Sequence, residues 1–190
     1  GLTYEVINER TVAIVDSDVP EARFERLMAQ RDGAMGDGTM AAYKQGEFCW
    51  YELGTRDISA AVNFYTELMG WSTLTHDMGE NGVYYLFQLE GQDMGGGYQM
   101  SGAQFEGVPP HWMAYVWVDD VDASAAKAVE LGGSIVAPPM DVPNVGRMAF
   151  LQDPQGAHFA IFMGREHQGA GRLAPKPGAF SWIELMTPDD

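Results

Sequence analysis

The residue best suited to chemistry in this sequence is Glu52, a carboxylate inside the otherwise strand-like run Phe48–Leu53. Side chains of a strand alternate between its two faces, so Glu52 shares a face with Trp50, whereas Cys49 faces the other way. A carboxylate on an inward face is costly unless it is hydrogen-bonded or paired with a cation. We therefore predict Glu52 as an acid/base group or ligand contact. Arg147 is the predicted partner of Glu52 or of a ligand anion; the alternative for Arg147 is a solvent-facing edge position.

Aromatic and thioether side chains dominate the other runs expected to lie on that face. Met113, Tyr115 and Trp117 alternate along one of them, and Tyr98 lies near the end of another. Such side chains bind flat or apolar molecules by stacking and dispersion, or else they fill a core. The predicted ligand-binding side chains are Trp50, Glu52, Tyr98, Met113, Tyr115, Trp117 and Arg147.

Composition narrows the class of partner. The 190 residues carry a formal net charge of −16 and are 46% apolar, which argues against nucleic acid and anionic membrane surfaces as partners. No apolar run approaches the length that spans a bilayer, and we expect no secretory leader. Cys49 is the one cysteine, which excludes an internal disulfide and indicates a reducing compartment. We expect a cytoplasmic protein that binds a small organic molecule.

Two segments 63 positions apart share one order of elements. A helix is predicted from the capping Asp57 to Gly70, and a second from Asp120 to Gly133. A strand-like run precedes each helix and three follow it. The runs are Phe48–Leu53, Ser72–His76, Val83–Leu89 and Met94–Met100, then Trp112–Val118, Ser134–Ala137, Arg147–Leu151 and Ala157–Met163. The repeat predicts an α+β protein built from two βαβββ modules, residues 46–108 and 109–164.

The first 45 residues differ from these modules. Tyr4–Ile7 and Thr11–Val15 are strand-like, and Asp18 begins a predicted helix that ends near Arg31. Residues 1–45 are expected to be an extension or the remnant of an upstream domain.

The segment beyond the second module contains a further partial repeat. Residues 165–177 have the glycine and proline content of a linker. Residues 178–189 then repeat the Gly, Phe, Trp, Glu, Leu, Thr and Asp of residues 46–57 at the same spacing, with Glu184 in the place of Glu52. We expect residues 178–190 to be the first strand of a truncated second domain.

Together these motifs resemble the vicinal oxygen chelate superfamily of glyoxalases, bleomycin-resistance proteins and extradiol dioxygenases. More narrowly, the chain looks like the tandem glyoxalase-like proteins of actinobacterial type. The resemblance rests on Asp57–Tyr65 with Leu68–Trp71, Val118–Asp122 with Glu130–Gly133, and Asp153–Gly156 with His158–Phe162. It implies a half-open barrel of curved sheet around a cavity. It also implies, for the family's enzymes, a divalent metal held by four side chains, usually His, Gln and Glu.

The positions at which the resemblance would place metal ligands hold unsuitable residues. Three of them carry Trp50, Met113 and Ala160, and the fourth falls in Gly95–Tyr98, which offers no carboxylate. None of these binds a hard divalent cation, so we predict that the family's metal is absent. The alternative is a rearranged site for Fe, Zn or Ni, two residues along each strand. Its ligands would be Glu52, His111 and His158.

The resulting prediction is a glyoxalase-like barrel that binds or sequesters a small molecule, as bleomycin-resistance proteins do, or a cofactor-free enzyme with Glu52 as acid/base. The alternative is a metal-dependent lyase or dioxygenase. Because the family assembles barrels in pairs, a homodimer is expected, with Phe180–Leu185 docked on a sheet edge. The acidic exterior disfavours anionic ligands, unless Arg147 receives them.

Overall fold

The computed structural model describes residues 6–8, 11–12, 43–79, 82–171 and 176–186. The chain divides into two units, one of residues 43–180 and one of residues 1–42 with 181–190. In the latter, strand β1 (Val6–Asn8) pairs antiparallel with β2 (Thr11–Val12). The helix predicted from Asp18 lies outside the described residues.

The unit of residues 43–180 contains the two predicted modules. The first consists of β3 (Phe48–Thr55), α1 (Ile58–Met69), β4 (Ser72–Asp77), β5 (Val83–Leu89) and β6 (Gln92–Gln99). The second consists of β7 (His111–Trp117), α2 (Val121–Glu130), β8 (Ser134–Val142), β9 (Gly146–Gln152) and β10 (His158–Gly164). A short 3-10 turn, Ala103–Phe105, lies between them. The element order βαβββ is therefore confirmed in both copies.

Each helix begins where the sequence predicts it. The side chain of Asp57 accepts a hydrogen bond from the amide of Ala60, and that of Asp120 accepts one from the amide of Ala123, both at 2.9 Å. These bonds satisfy amides that have no partner within the first turn. Gly70 then ends α1 in the left-handed conformation, with φ of 70°, which costs glycine little because it has no Cβ.

All eight strands of the modules form one open sheet in the order β4-β5-β6-β3-β7-β10-β9-β8. The antiparallel pair β3 and β7 joins the two modules, and β3 with β6 and β7 with β10 are parallel. The sheet is not closed, because β4 and β8 are its two edges. The predicted fold class, α+β with paired βαβββ modules in a half-open sheet, is confirmed.

The two faces of this sheet have separate cores. On the helix face, α2 packs over Ala149, Leu151 and Ile161, and α1 packs near Leu53 and Phe87. The opposite face, which we call the open face, has its own cluster. Its fully or largely buried members are Cys49, Trp50, Tyr115, Trp117, Ala160, Phe162 and Ala170. Each face of the sheet therefore has its own cluster of buried side chains, including the open face.

The predicted linker, residues 165–177, is packed against the modules where the structure describes it. The amide of Ala170 donates to the carbonyl of Cys49, and that of Gly171 donates to the carbonyl of Asp93, both at 2.7 Å. Ala170 is buried. A Gly/Pro-rich composition therefore accompanies a segment that is hydrogen-bonded to the sheet at residues 170 and 171, and the assignment of residues 165–177 as a linker stays a prediction.

Residues 178–186 form no strand, so the strand predicted to begin at 178 is not formed within its described part. Phe180 instead stacks on Tyr51, with ring centroids 4.0 Å apart and planes 22° apart. It also contacts Trp71 and Trp112, and the indole N–H of Trp71 donates to the carbonyl of Gly178 at 2.7 Å. Phe180 therefore packs on the helix face of its own chain, and the docking of Phe180–Leu185 on a sheet edge in a homodimer stays a prediction. The domain boundaries themselves remain a prediction.

Within the described part of the chain, no helix combines the length and the apolar content needed to cross a membrane.

Candidate functional site

Strand pairing brings the predicted lining side chains together on the open face. Trp50 lies opposite Tyr115, and Glu52 lies between Met113 on β7 and Gly96 on β6. The neighbouring register places Tyr98 beside Gly54, and Trp117 beside Phe162. Six of the seven predicted residues therefore share this face. They are Trp50, Glu52, Tyr98, Met113, Tyr115 and Trp117.

The carboxylate of Glu52 is held by two phenols. The hydroxyl of Tyr84 donates to Oε1 at 2.8 Å, and that of Tyr115 donates to Oε2 at 2.6 Å. Tyr84 in turn accepts a hydrogen bond from the indole N–H of Trp50 at 3.1 Å. Each carboxylate oxygen thus has its own donor, and the donors come from different strands. This fixes the direction in which the carboxylate points.

The environment shifts the acidity of each member of this group. Burial raises the pKa of Glu52, although the hydrogen bonds from Tyr115 and Tyr84 and the proximity of His111 oppose the rise. Burial, together with the negative charge of Glu52, holds the pKa of Tyr84 and of Tyr115 well above the ordinary phenol value. Burial and then Glu52 raise the pKa of Tyr98 to about 12. The phenols therefore stay protonated at neutral pH, and Glu52 is the group of this set that can exchange a proton.

Tyr84 was not predicted from the sequence, and a glycine makes room for it. A Cβ atom on Gly96 would overlap the hydroxyl and ring of Tyr84, so the phenol reaches Glu52 because position 96 has no side chain. Gly95 is similarly crowded by the carbonyl of Tyr51. Alternation along Val83–Leu89, paired with a glycine-rich strand, is the signal that could have identified Tyr84.

The open face has a buried part and an accessible part. Trp50, Tyr115 and Trp117 are only 6%, 2% and 9% exposed. Glu52, Tyr84, Tyr98, His111 and Met113 are partly exposed. A ligand therefore has access to the region around Glu52, with the indoles and Tyr115 behind it.

His167, which lies outside both modules, covers part of the buried region of the open face. The ring of His167 meets that of Trp50 edge-on, with centroids 4.6 Å apart and planes at 90°, and it also contacts Phe162. Burial lowers the pKa of His167, opposed by the charge of Asp93. Tyr43 stacks on Trp117 and donates to the carbonyl of Ala170 at 2.8 Å. Sequence reasoning missed His167 because it lies in a segment whose composition indicated a linker.

Arg147 is not part of this group. Its guanidinium donates to both carboxylate oxygens of Asp122, from Nε at 2.6 Å and from Nη2 at 2.8 Å, and it lies 3.3 Å from Asp141. On β9 its neighbour Met148 packs with the open-face cluster, so alternation turns Arg147 to the helix face. The prediction that Arg147 pairs with Glu52 is wrong, and its contact with a ligand anion stays a prediction.

Cys49 is poorly placed to act as a nucleophile. It is fully buried at an irregularity in the pairing of β3 with β7, and its thiol donates to the carbonyl of Tyr115 at 3.5 Å. Burial raises its pKa to about 12. A buried thiol with so high a pKa is a poor nucleophile at neutral pH.

The residues at the implied metal positions do not fit a divalent cation. Trp50 uses its indole N–H as a donor, Ala160 brings no side-chain ligand, and Gly95–Tyr98 offers no carboxylate. Met113 supplies only a soft thioether. The rearranged set is not assembled either: His158 contacts Gln152 at 3.0 Å, His111 contacts the carbonyl of Pro109 at 2.9 Å, and the described residues contain no metal-binding group of three His, Cys, Asp or Glu side chains.

A groove on the helix face lies apart from these residues. It has a volume of about 410 Å³ and is lined by α1, by the end of β3 and by Pro110. Its one cationic side chain, Arg56, already donates to the carbonyls of Phe105 and Val108. The groove is therefore mainly apolar, and its charged side chains are Arg56 and the helix-capping Asp57.

The fold and the sequence together define the class of protein. The sequence model of the glyoxalase/bleomycin resistance protein/dioxygenase superfamily matches residues 48–161. The chain belongs to this superfamily, as its motifs predict.

Two curated relatives are similar to most of the chain. A Mycobacterium tuberculosis protein with the provisional name glyoxylase CFP32 is 40% identical over 146 residues, which are 76% of this chain and 56% of that protein. The anthracycline biosynthesis protein DnrV of Streptomyces peucetius is 34% identical over 160 residues, 78% of this chain and 58% of its own length. The chain thus spans little more than half the length of these relatives.

Solved structures share the fold. A hypothetical protein from Bacillus halodurans C-125 superposes with a TM-score of 0.52 at 13% identity, covering 65% of this chain and 98% of its own. A variant of Streptomyces coelicolor methylmalonyl-CoA epimerase, in complex with 2-nitronate-propionyl-CoA, gives a TM-score of 0.50 at 17% identity. The match covers 66% of this chain and 99% of the epimerase chain. At these identities the likeness concerns the fold alone.

Proposed function

We propose that the open face binds a flat, largely apolar small molecule beside Glu52, and that it does so without a metal. The observation that carries the proposal is the fixed carboxylate of Glu52, held by Tyr84 and Tyr115 among partly exposed aromatic and thioether side chains. One polar anchor on an apolar surface is the usual composition of a small-molecule site.

The accessible side chains suit a planar ligand. Tyr98 and Met113 flank Glu52 on β6 and β7, and Phe150 contacts the ring of Tyr115 with centroids 5.9 Å apart. Aromatic rings and thioether sulfur favour planar partners through stacking and dispersion. The ligand would lie on these side chains and direct one polar group to Glu52.

The name of one relative agrees with a ligand of this kind. DnrV is named for anthracycline biosynthesis, and a polycyclic compound of that type would suit the surface around Tyr98 and Met113. Binding without turnover is the function we favour, as a module that holds or sequesters its ligand.

A cofactor-free enzyme is the second candidate. Burial raises the pKa of Glu52 above that of an exposed carboxyl, which brings it closer to the value at which a general acid/base is effective. In this account Glu52 accepts a proton from the bound molecule, while Tyr84 and Tyr115 stabilise its negative charge.

We also propose that the protein forms a homodimer. Leu74 on β4 and Val136 on β8 are 51% and 53% exposed, and both strands are edges of the open sheet. Apolar residues on unpaired edges favour association with a second copy. Light scattering at high protein concentration should give twice the mass of the chain, and a clean monomer would exclude the dimer.

Binding of 9-(hydroxymethyl)anthracene, a neutral planar probe, tests the proposed function. We expect quenching of tryptophan fluorescence to saturate, and the Tyr98→Ala variant to bind at least about tenfold more weakly, as loss of a stacking contact predicts. Phe64→Ala removes an exposed ring on α1 and is the matched control, with unchanged affinity. Metal analysis should find no stoichiometric metal, and chelator treatment should leave binding unchanged. Absence of saturable binding would overturn the proposal.

A further inference from the structure

Glu52 forms no ion pair with a lysine, arginine or histidine side chain among the described residues. The ion pairs described there join Lys127 with Glu130, Arg147 with Asp122 and Asp141, Arg165 with Asp141, and Lys176 with Glu90. None of them involves Glu52. Its hydrogen bonds come instead from the neutral hydroxyls of Tyr84 and Tyr115, so its negative charge is oriented but not neutralised.

The surroundings of that charge are aromatic. Tyr84 and Tyr115 donate to the carboxylate, Trp50 donates to Tyr84, and the phenol of Tyr98 is close enough for Glu52 to raise its pKa. The faces of such rings attract ammonium groups electrostatically, most strongly where water is excluded. A carboxylate surrounded by aromatic rings is therefore suited to bind an organic cation.

The same arrangement is unfavourable for an anion. The hydroxyl protons of Tyr84 and Tyr115 already point to Glu52, which leaves neither free to donate to a ligand anion. Arg147 is bound to Asp122 on the other face. The formal net charge of −16 adds a long-range field that attracts cations and repels anions.

We infer that the ligand of the open face carries a protonated amine, which pairs with Glu52 while the planar part of the ligand lies on Tyr98 and Met113. This inference rests on the proposed function and adds the charge of the ligand to it. The amine would supply the countercharge that no ion pair of the described residues provides, and it would donate a charge-assisted hydrogen bond to Glu52.

Three anthracenes that differ in one substituent test the inference. The probes are 9-(aminomethyl)anthracene, a cation at pH 7, the neutral 9-(hydroxymethyl)anthracene, and the anion anthracene-9-carboxylate. We expect the cation to bind at least about tenfold more tightly than the alcohol, as a hydrogen bond to a charged group predicts, and the carboxylate to bind more weakly than the alcohol. Equal affinity of the amine and the alcohol would overturn the inference and leave the proposed function standing. If none of the three binds, the proposed function itself falls, and the inference with it.

Substitution of the carboxylate identifies the group responsible. In Glu52→Gln the amine should bind no more tightly than the alcohol, because the negative charge that distinguishes the two probes is gone. The control Glu67→Gln removes an exposed carboxylate on α1 and should retain the full preference. A preference that survives in Glu52→Gln would overturn the assignment.

A pH titration of the wild type tests the same point without a substitution at Glu52. The preference for the amine should fade as the pH falls and Glu52 takes up a proton. The titratable groups that face Glu52 are Tyr84 of β5, Tyr98 of β6, and His111 and Tyr115 of β7. The phenols stay neutral throughout, and repeating the titration in His111→Asn removes the remaining group. A preference that does not change down to acid pH would contradict the inference.

Discussion

Tyr115 donates a hydrogen bond of 2.6 Å to Oε2 of Glu52, from the strand that joins the second module to the first. The bond crosses the boundary between the two copies of the repeat, so the candidate site belongs to both modules. Tyr84 completes it from within the first module. Neither module alone would hold the carboxylate in this way.

Loss of the Tyr115 hydroxyl should make the carboxylate harder to ionise. In Tyr115→Phe the charged form of Glu52 loses a donor, so its pKa should rise further, and the free energy of unfolding at pH 7 should fall by about 1.5–3 kcal/mol. Carbon-13 NMR titration of the Glu52 carboxyl and urea denaturation measure the two effects. An unchanged or lower pKa in Tyr115→Phe would show that the hydrogen bond does not stabilise the carboxylate.

Glu52 should make the folded protein less stable as the pH rises. Its pKa is raised in the folded state, so between the unfolded and the folded value the native protein binds more protons, and the free energy of unfolding falls with increasing pH. Stability in urea, measured at a series of pH values, should lose part of this slope in Glu52→Gln. Glu67→Gln is the control and should retain the wild-type slope; equal slopes in all three proteins would contradict the raised pKa.

A methyl group at position 96 should push Tyr84 away from Glu52. The Cβ atom introduced by Gly96→Ala overlaps Tyr84, and overpacking of this kind costs about 1–3 kcal/mol. The cost should be smaller in a Tyr84→Ala background, where the conflicting ring is gone. Urea denaturation of the two single variants and the double variant forms the cycle. Strictly additive effects would mean that the two residues are not in contact.

His167 should control the access of solvent to Trp50. Because the imidazole lies edge-on against the indole, His167→Ala should leave a space there and increase quenching of tryptophan fluorescence by acrylamide. Gln168→Ala alters the exposed neighbouring residue and serves as the control. If quenching is the same in both variants, His167 does not cover Trp50 in solution.

Arg147 should affect stability and leave ligand binding unchanged. Arg147→Met breaks contacts with Asp122 and Asp141, whose side chains are 62% and 51% exposed, so the cost in unfolding free energy should be small. Binding of 9-(hydroxymethyl)anthracene should match that of the wild type. A loss of ligand binding in this variant would show that Arg147 contributes to the site.

The elements and most of the site could be predicted because they depend on local patterns. The capping residues Asp57 and Asp120 mark where the helices begin, and alternation along one strand places Trp50 with Glu52 and Met113 with Tyr115. These features need no knowledge of how distant segments pair.

The remaining features depend on which strands are neighbours and in what register. Tyr84 reaches Glu52 because β5 pairs with β6, where Gly96 leaves room for the phenol. Arg147 contacts Asp122 because its position on β9 directs its side chain to the helix face. A shift of one residue along a strand moves a side chain to the other face of the sheet. His167 was missed for another reason: a Gly/Pro-rich composition does not reveal that the segment crosses a sheet and contacts an indole.

The most direct test of the central claim is a crystal structure of the wild-type protein with 9-(aminomethyl)anthracene. We predict electron density for the ring system beside Tyr98 and Met113, with the amine nitrogen within hydrogen-bonding distance of the Glu52 carboxylate. A ligand bound instead in the groove between α1 and Pro110, or an open face that stays empty while the ligand is bound elsewhere, would contradict the account.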